Sequence, residues 1–366
     1  MTAKPNPDTP LLAAEKTIRR LDADLQAARK RLKSIHEAND TAETIRQAIY
    51  GLSEHRPEPP EWTLRPGLAG HRGCPMLMVS DIHYSEVVNK IETGGANEFN
   101  SKIAAKRMER LYNTTADLAF NHMGRAKTIY PGIVVAFGGD MIGGDIHEEL
   151  AKTNDRTPQQ SVNDLTDLLG GLVDNLAAKF GRIFIPCVVG NHGRATKKMQ
   201  MKQRVFTSIE WNIYCNLERH YRTTKNVSFQ VSNEADAFFN VFGHRYMLTH
   251  GDSLGVKGGD GIIGAIGPIM RGTMKMHRSE AQIGRDFDTL LLGHWHQYLT
   301  LPGLIVNNAF KGYDEYARLG LRAPYSRASQ ALWFTHPEHG ITAHWQVYLQ
   351  DLMTANKSQD WVTWPK

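Results

Sequence analysis

Residues Met76-Leu77-Met78-Val79-Ser80-Asp81-Ile82-His83 join an apolar run to two polar side chains that can bind a ligand. Their first part, Met76 to Ser80, predicts a buried β-strand, because a short apolar run without polar alternation is typical of a strand covered on both faces. Asp81 and His83 follow where that strand ends. Because ligands of α/β proteins bind at the carboxyl ends of strands, these two side chains are candidate ligands.

Four further polar clusters repeat this arrangement, each directly after a predicted strand. They are Gly138-Gly139-Asp140 after Ile133–Phe137, Gly190-Asn191-His192 after Ile183–Val189, His250-Gly251-Asp252 after Arg245–Thr249, and Gly293-His294-Trp295-His296 after Thr289–Leu292. One such cluster alone is more often a cap or a surface turn, but five in succession are not expected by chance. Mixed carboxylate, amide and imidazole donors suit manganese, iron, zinc or nickel, whereas calcium prefers oxygen ligands alone. The sequence therefore predicts a transition-metal site at one edge of a sheet.

Strands and helices alternate from the first cluster to about residue 220. The predicted helices are Asn97–Arg125, Asp164–Phe180 and Val205–His220. Beyond them strand-like runs dominate, and these are Val227–Val231, Ala237–Phe242, Arg245–Thr249, Thr289–Leu292, Leu332–Thr335 and Thr342–Tyr348. This order predicts an α/β fold in which two packed mixed β-sheets are flanked by helices. On the first helix a basic stripe is expected to be a solvated face: Lys102, Lys106, Arg107 and Arg110.

Residues 1–55 have a different pattern from the rest of the chain. Apolar residues recur there in two heptad seams, Leu11, Ile18, Leu25 and Leu32 in one, and Ala14, Leu21, Ala28 and Ile35 in the other. The pattern predicts a helix over residues 10–37 and a second helix from about Thr41. Two interpretations stay open: a coiled-coil arm through which copies of the chain associate as a homo-oligomer, or helices that pack on their own domain. The proline-rich residues 56–70 predict a linker, which leaves residues 71–366 as the main domain.

The composition indicates a soluble protein without a membrane partner. Hydrophobic residues make up 41% and charged residues 22%, which is enough apolar content for a sizeable core. Cys74, Cys187 and Cys215 show no C-x-x-C spacing, so we expect no disulfide framework and a reducing compartment. The N-terminus lacks the apolar core of a signal peptide, so we expect a cytoplasmic location. The net charge of +5 favours phosphate-rich partners without identifying them.

In this order the clusters resemble the motifs of the calcineurin-like metallophosphoesterase superfamily, which run D-x-H, G-D, G-N-H-(D/E), H and G-H-x-H. The similarity spans about residues 76–310. A narrower similarity, to phage-encoded members related to DNA-repair exonucleases, rests on Ser80-Asp81-Ile82-His83, Ile146-His147-Glu148-Glu149 and Gly190-Asn191-His192-Gly193-Arg194. The resemblance implies the four-layer sandwich of that superfamily and a hydrolase that acts on phosphate esters.

The resemblance also implies two divalent metal ions, manganese first, with iron, zinc or nickel as alternatives. One ion would be held by Asp81, His83, Asp140 and His296, and the other by Asp140, Asn191, His250 and His294, with Asp140 bridging. His192 would be the general acid or a transition-state stabiliser, and the alternative is a structural histidine. Two cations about 4 Å apart can share a hydroxide that attacks phosphorus in line. A histidine is suited to protonate the leaving group near neutral pH.

The chain departs from the family pattern at Gly193, where an acidic residue usually follows the asparagine–histidine pair. Asp252 and His147 are the candidates to compensate. The basic residues that follow either hold phosphates of a nucleic acid or form a solvated surface; they are Arg194, Lys197, Lys198, Lys202 and Arg204. The glycine-rich residues 251–267 predict a mobile flap over the site, and the alternative is an ordinary long loop. Four residues are candidates for substrate binding: His147, Arg194, Lys198 and Arg271.

These features predict a phosphodiesterase that acts on nucleic acid, with DNA nuclease activity as the specific expectation. One alternative is a phosphomonoesterase or a nucleotide phosphodiesterase. Another is a non-catalytic scaffold that keeps the fold. The complete ligand set argues against a scaffold, because an inactive relative is expected to lose ligands.

Overall fold

The computed structural model describes residues 15, 18–30, 33, 73–122, 130–255 and 264–353. The chain divides into two compact units, Met1–Glu58 and Pro59–Lys366. In the first unit residues 18–30 are helical, inside the helix predicted for residues 10–37, and three of its apolar side chains are exposed: Ile18, Leu21 and Leu25. Four residues of the heptad seams (Leu11, Ala14, Leu32 and Ile35), the predicted second helix and the linker lie outside the described residues. The coiled-coil arm, the association of copies through it and the domain boundaries stay predictions.

Eleven strands in two sheets are found among the described residues. They are β1 (Cys74–Val79), β2 (Ile133–Phe137), β3 (Ile183–Cys187), β4 (Val227–Val231), β5 (Asp236–Val241), β6 (His244–Thr249), β7 (Thr289–Leu292), β8 (Leu299–Leu301), β9 (Leu304–Val306), β10 (Ser329–His336) and β11 (Gly340–Tyr348). The first sheet has the order β11-β10-β1-β2-β3-β4, and the second the order β5-β6-β7-β9-β8. Every strand predicted from the sequence is present, and β8 and β9 are additional.

Both sheets are mixed, and the parallel strands of each sheet end together. β1 to β4 are parallel to one another, whereas β10 is antiparallel to β1 and β11. Phe137 of β2 pairs with Val79 of β1 and with Cys187 of β3. In the second sheet, Leu292 of β7 pairs with Thr249 of β6 and with Val306 of β9. The residues that follow these strands therefore start from one common edge of each sheet.

Five α-helices connect the strands in the described part of the chain. They are α1 (Ser101–Asp117), α2 (Glu148–Thr153), α3 (Pro158–Phe180), α4 (Ile209–Tyr221) and α5 (Ile266–Gln282). α1 continues into a π-helical turn at Leu118–His122, and a 3-10 turn at Val205–Thr207 precedes α4. The sequence predicted α1, α3 and α4 but neither α2 nor α5. α5 begins at Ile266, inside the glycine-rich residues 251–267, and residues 256–263 lie outside the described part, so the flap stays a prediction.

The apolar clusters show four layers. Along β1, Leu77 and Val79 belong to a cluster that includes Leu169 of α3. Met76 and Met78 alternate with them and point to the opposite face, as side chains do along a strand, where they join a cluster between the two sheets. A third cluster packs the other face of the second sheet against α5, through Met247, Leu290 and Ile269. The predicted fold, two packed mixed sheets flanked by helices, is confirmed.

Two expectations from composition concern the cysteines and the membrane. Cys74, Cys187 and Cys215 are free and buried. Among the described residues, no helix combines the length and apolar content that crossing a membrane requires.

Candidate metal centre

The five polar clusters lie together at the edge where the parallel strands end. Beyond β1 and β2 the two loops stay paired, because the amide of His83 donates to Asp140 O at 3.0 Å. In the second sheet, the Gly293 amide donates to His250 O at 3.0 Å. The register of the strands therefore continues into the loops and sets which side chains meet.

The first group of candidate ligands combines Asp81 and His83, after β1, with His296, after β7. Their nearest carboxylate oxygen and imidazole nitrogens all lie within 4.8 Å of one another. His296 Nε2 is 3.3 Å from both His83 Nε2 and Asp81 Oδ1. The main-chain amide of His294 donates to Asp81 Oδ1 at 2.9 Å and ties the two sheets together at this point. Three side chains that could bind a metal ion, from two sheets, thus converge.

The second group combines Asp140, after β2, with His250 and His294 of the second sheet. Their nearest ligand atoms also lie within 4.8 Å of one another. Asp140 Oδ2 is 3.0 Å from His250 Nε2, and Asn191 Oδ1 is 3.2 Å from the same nitrogen. The structure therefore brings together all four side chains that the family resemblance assigns to the second ion.

Asp140 lies between the two groups. Its Oδ2, which faces His250, is also 3.9 Å from His83 Nε2 of the first group. Its Oδ1 accepts the main-chain N–H of His192 at 2.7 Å. His83, Asp140 and His192 form a further set whose ligand atoms lie within 4.8 Å. A carboxylate between two ligand groups is in the place that a bridging ligand requires.

Main-chain carbonyls orient two of the histidine rings. His250 Nδ1 is 2.9 Å from Gly138 O, and His192 Nδ1 is 2.9 Å from Gly143 O. Because a carbonyl oxygen only accepts, each Nδ1 carries the proton, and in the neutral ring Nε2 offers its lone pair to the site. Such outer hydrogen bonds are typical of histidines that bind metals.

Backbone strain is concentrated at the candidate ligands. Five of them have φ values between 49° and 65°: Asp81, His83, Asp140, His294 and His296. An L-residue in this left-handed region costs about 1–2 kcal/mol relative to ordinary helical backbone. Strained residues of this kind cluster at functional sites, where surrounding contacts maintain them. The local fold therefore tolerates a strained backbone at these residues, because that backbone places their side chains in the site.

The charges of the buried groups are coupled. Burial lowers the pKa of His83 well below its ordinary value. Burial, and then the nearby His250, lowers the pKa of His294 to about 4, so both rings are neutral near pH 7. Burial alone would raise the pKa of Asp140 and lower that of His250, but their mutual attraction outweighs both effects. The pKa of Asp140 is held well below its usual range, and that of His250 rises to about 10.

The donor set fits two divalent metal ions. The attraction between Asp140 and His250 shows that a positive charge is favoured at this position, which a bound cation would supply in place of the imidazole proton. Carboxylate, amide and imidazole donors are those of first-row transition metals. The seven residues predicted as ligands are the residues that would hold the two ions.

His192 and His147 lie at the outer side of the ligand groups. The His192 ring centroid is 4.5 Å from that of His83 and 5.7 Å from that of His147. His147 occupies the N-cap position of α2 and is exposed. Of the two candidates to compensate for Gly193, His147 is therefore the one next to His192.

The other candidate, Asp252, has a different partner. Its Oδ1 is 2.6 Å from Arg204 Nη2, and both side chains are largely shielded from solvent.

Arg194 donates from Nη1 to Asn191 O at 2.6 Å and from Nε to Thr196 O at 3.1 Å, so its guanidinium shapes the loop that carries Asn191. Arg194 and Arg204 are thus both engaged within the protein.

The remaining basic residues differ in exposure. Lys198 and Arg271 are exposed. Their roles in substrate binding stay predictions.

On the basic stripe of α1, Lys102 is exposed as expected, but Arg107 is buried, so the prediction of a solvated stripe is wrong for Arg107. Arg107 points inward because its Nη1 donates to the carbonyl of Lys311 at 2.6 Å.

Four charged residues near the site were not found from the sequence motifs: Glu86, Glu210, Lys311 and Asp314. Lys311 Nζ is 2.6 Å from Glu86 Oε1 and 2.6 Å from Asp314 Oδ2. Glu86 Oε2 is 3.4 Å from His83 Nδ1, so this buried ion cluster reaches the first ligand group. Only Glu86, three positions after His83, had a local signal in the sequence.

Comparisons with known proteins give distant structural similarity. No protein-family model and no curated protein matches the chain. Vacuolar protein sorting 29 from Cryptosporidium parvum is 11% identical, with 71% of this chain and 84% of that chain covered, at a TM-score of 0.30. A dimetal phosphatase from Danio rerio is 9% identical, with 76% of this chain and 99% of that chain covered, at a TM-score of 0.31. The assignment of the site therefore rests on the geometry of its own residues.

Proposed function

We propose that this protein is a metal-dependent phosphoesterase of the calcineurin-like metallophosphoesterase superfamily and that its substrates are phosphodiesters of nucleic acid. One observation carries the proposal. Seven candidate ligands from the ends of five strands converge in two groups, and Asp140 lies between the groups. A scaffold protein has no need for this complete set of donors or for the strained backbone that presents them.

The chemistry that such a site supports is hydrolysis at phosphorus. Two bound divalent cations supply Lewis acidity and neutralise the charge of the phosphoryl oxygens. His192 is held by Gly143 O, which leaves its Nε2 free to act on the leaving group. Burial lowers the pKa of His192. An anionic phosphate beside the ring opposes that shift, so His192 takes up its proton together with the substrate.

A nucleic-acid substrate is favoured by the surroundings of His192. His147 adds a second imidazole on the outer side, where it can contact the part of the substrate beyond the scissile phosphate. The segment after Asn191 carries exposed lysines, Lys197, Lys198 and Lys202, which suit further phosphates of a polynucleotide. The net charge of +5 has the matching sign. A phosphomonoesterase would have no use for phosphate contacts along this segment.

The test compares a diester with a monoester. With Mn²⁺, the wild-type protein should hydrolyse bis-p-nitrophenyl phosphate faster than p-nitrophenyl phosphate, and should cleave labelled single- or double-stranded DNA. His192→Ala should bind the same amount of metal but lower kcat for the diester by about 10²–10⁴-fold, the usual contribution of a proton-transfer group. Hydrolysis of the monoester alone would exclude the nuclease. A metal-loaded protein inactive on every substrate would favour the scaffold.

A further inference from the structure

Glu210 is a buried carboxylate that belongs to none of the motifs. It lies in the first turn of α4 and is fully shielded from solvent. Its Oε1 accepts the main-chain N–H of Met141 at 2.8 Å, and its Oε2 accepts that of Gly190 at 2.7 Å. Met141 directly follows Asp140, and Gly190 directly precedes Asn191. One carboxylate thus joins the two loops that carry candidate ligands of the second group.

The Glu210 side chain fills the space next to Gly193. A Cβ atom at Gly193 would lie 2.6 Å from Glu210 Cγ and 2.9 Å from both Glu210 Cδ and Ser208 Oγ. Such short contacts leave no room for a side chain at position 193 while Glu210 is present. Position 193 is where the family pattern that the sequence resembles has an acidic residue. A side chain there and the carboxylate supplied by α4 therefore compete for one volume.

The backbone fixes Glu210 in this position. The amide of Ile209 donates to Gly193 O at 2.8 Å, so the start of α4 is hydrogen-bonded to the loop after the third cluster. Ser208 caps α4 and accepts the N–H of Glu210 with its Oγ at 3.3 Å. The first turn of the helix is therefore anchored to the loop that lacks the acidic side chain.

We propose that Glu210 is a positioning residue for the second metal group and takes the place of the acidic side chain that position 193 lacks. This inference rests on the proposed function, because it treats Asp140 and Asn191 as metal ligands. Without Glu210 the two loops lose their common acceptor, and the spacing of Asp140 and Asn191 on His250 is no longer maintained. Removing an outer partner of this kind weakens metal binding by about 10- to 100-fold.

The experiment moves the carboxylate from one position to the other. Glu210→Ala should weaken one of two Mn²⁺ binding events by about 10- to 100-fold in calorimetric titration of the metal-free protein. Gly193→Glu alone should lower the melting temperature, because the new side chain overlaps Glu210. The double variant Gly193→Glu/Glu210→Ala should regain most of the lost affinity. Asn216→Ala, at an exposed position of α4, is the matched control and should bind both ions as the wild type does.

The inference is overturned if Glu210→Ala binds both ions with wild-type affinity, or if the double variant binds no better than Glu210→Ala. Should circular dichroism show that Glu210→Ala is unfolded, Glu210→Gln decides, because it keeps the shape and one acceptor oxygen. It should weaken the same ion, and unchanged affinity overturns the inference. A wild-type protein that binds no divalent ion contradicts the proposed function itself, so the two failures are distinguishable.

Discussion

The buried ammonium group of Lys311 lies between two carboxylates, Glu86 and Asp314, all of them almost inaccessible to solvent. Burial alone would lower the pKa of Lys311, but the two carboxylates raise it above its ordinary value. Burial would raise the pKa of Asp314, but Lys311 outweighs this and lowers it to about 2. Glu86 also faces His83. The ion pair with Lys311 therefore helps to hold the carboxylate that lies next to the first ligand group.

Replacing Lys311 by methionine should cost about 3–5 kcal/mol of unfolding free energy at pH 7, because two buried carboxylates lose their cation. The pKa of Asp314 is about 2 in the folded protein against an ordinary value of 3.8. A depressed pKa adds stability that is complete above about pH 4 and is lost as the pH falls toward 2, here about 2 kcal/mol. The difference in unfolding free energy between wild type and Lys311→Met should therefore become smaller as the pH falls from about 4 toward 2.

Urea unfolding of the metal-free proteins at a series of pH values measures this gap. Lys102→Met, at an exposed position of α1, is the control and should change the unfolding free energy by about 0.5 kcal/mol or less. Equal stability of wild type and Lys311→Met at pH 7, or a gap that stays constant down to pH 2, would contradict the prediction.

At the residue scale, the candidate ligands could be predicted because each short cluster that carries them is local in sequence and follows a buried strand. Lys311 and Arg107 could not, because their partners are remote: Lys311 and Glu86 are 225 positions apart. Arg107 carries the same charge as the exposed lysines near it in the chain, so its residue type does not show that it is buried. Only the packing of α1 on the segment around Phe310, whose carbonyl it also contacts at 3.0 Å, turns it inward.

At the element scale, the start of α3 shows a signal that the sequence contains. Thr157 accepts the N–H of Gln160 with its side chain, the Gln160 side chain accepts the N–H of Thr157, and Pro158 opens the helix. This is a capping box with proline at the first position. The prediction from apolar periodicity alone started this helix at Asp164 and missed the capping box.

Thr157→Ala should lower the unfolding free energy by about 1 kcal/mol, because it removes the acceptor for the orphan amide of Gln160. Hydrogen exchange should speed up at the first turn of α3. Gln159→Ala, an exposed position in the same turn, is the control and should stay within about 0.5 kcal/mol. Similar losses in both variants, measured by urea unfolding, would show that the cap contributes nothing specific.

Elements without such signals could not be predicted. α5 follows a glycine-rich segment, and its N-cap residue Ala265 makes no side-chain hydrogen bond, so nothing in the sequence marks its beginning. β8 and β9 have three residues each, too few to show alternation. They form because β7 offers β9 a parallel partner, which is a tertiary effect.

At the scale of the whole molecule, the two sheets are joined through the candidate metal centre. Each ligand group takes side chains from both sheets: His296 completes the first group, and His250 and His294 complete the second. His250 Nδ1 donates to Gly138 O and His294 N to Asp81 Oδ1, so the sheets are already tied there by hydrogen bonds. Ions bound only by the folded state stabilise it by mass action. Ions bound at this centre would therefore stabilise the packing of the two sheets.

We expect residues from five strand ends to form one centre for two metal ions around Asp140. The most direct measurement is the metal content of the protein after equilibrium dialysis against Mn²⁺, determined by mass spectrometry of the metal. Wild type and the control Asp167→Asn, at an exposed position of α3, should each hold two ions per chain. Asp140→Asn should lose at least one of them. A wild-type protein without bound metal, or an Asp140→Asn protein that keeps both ions at wild-type affinity, would contradict the claim.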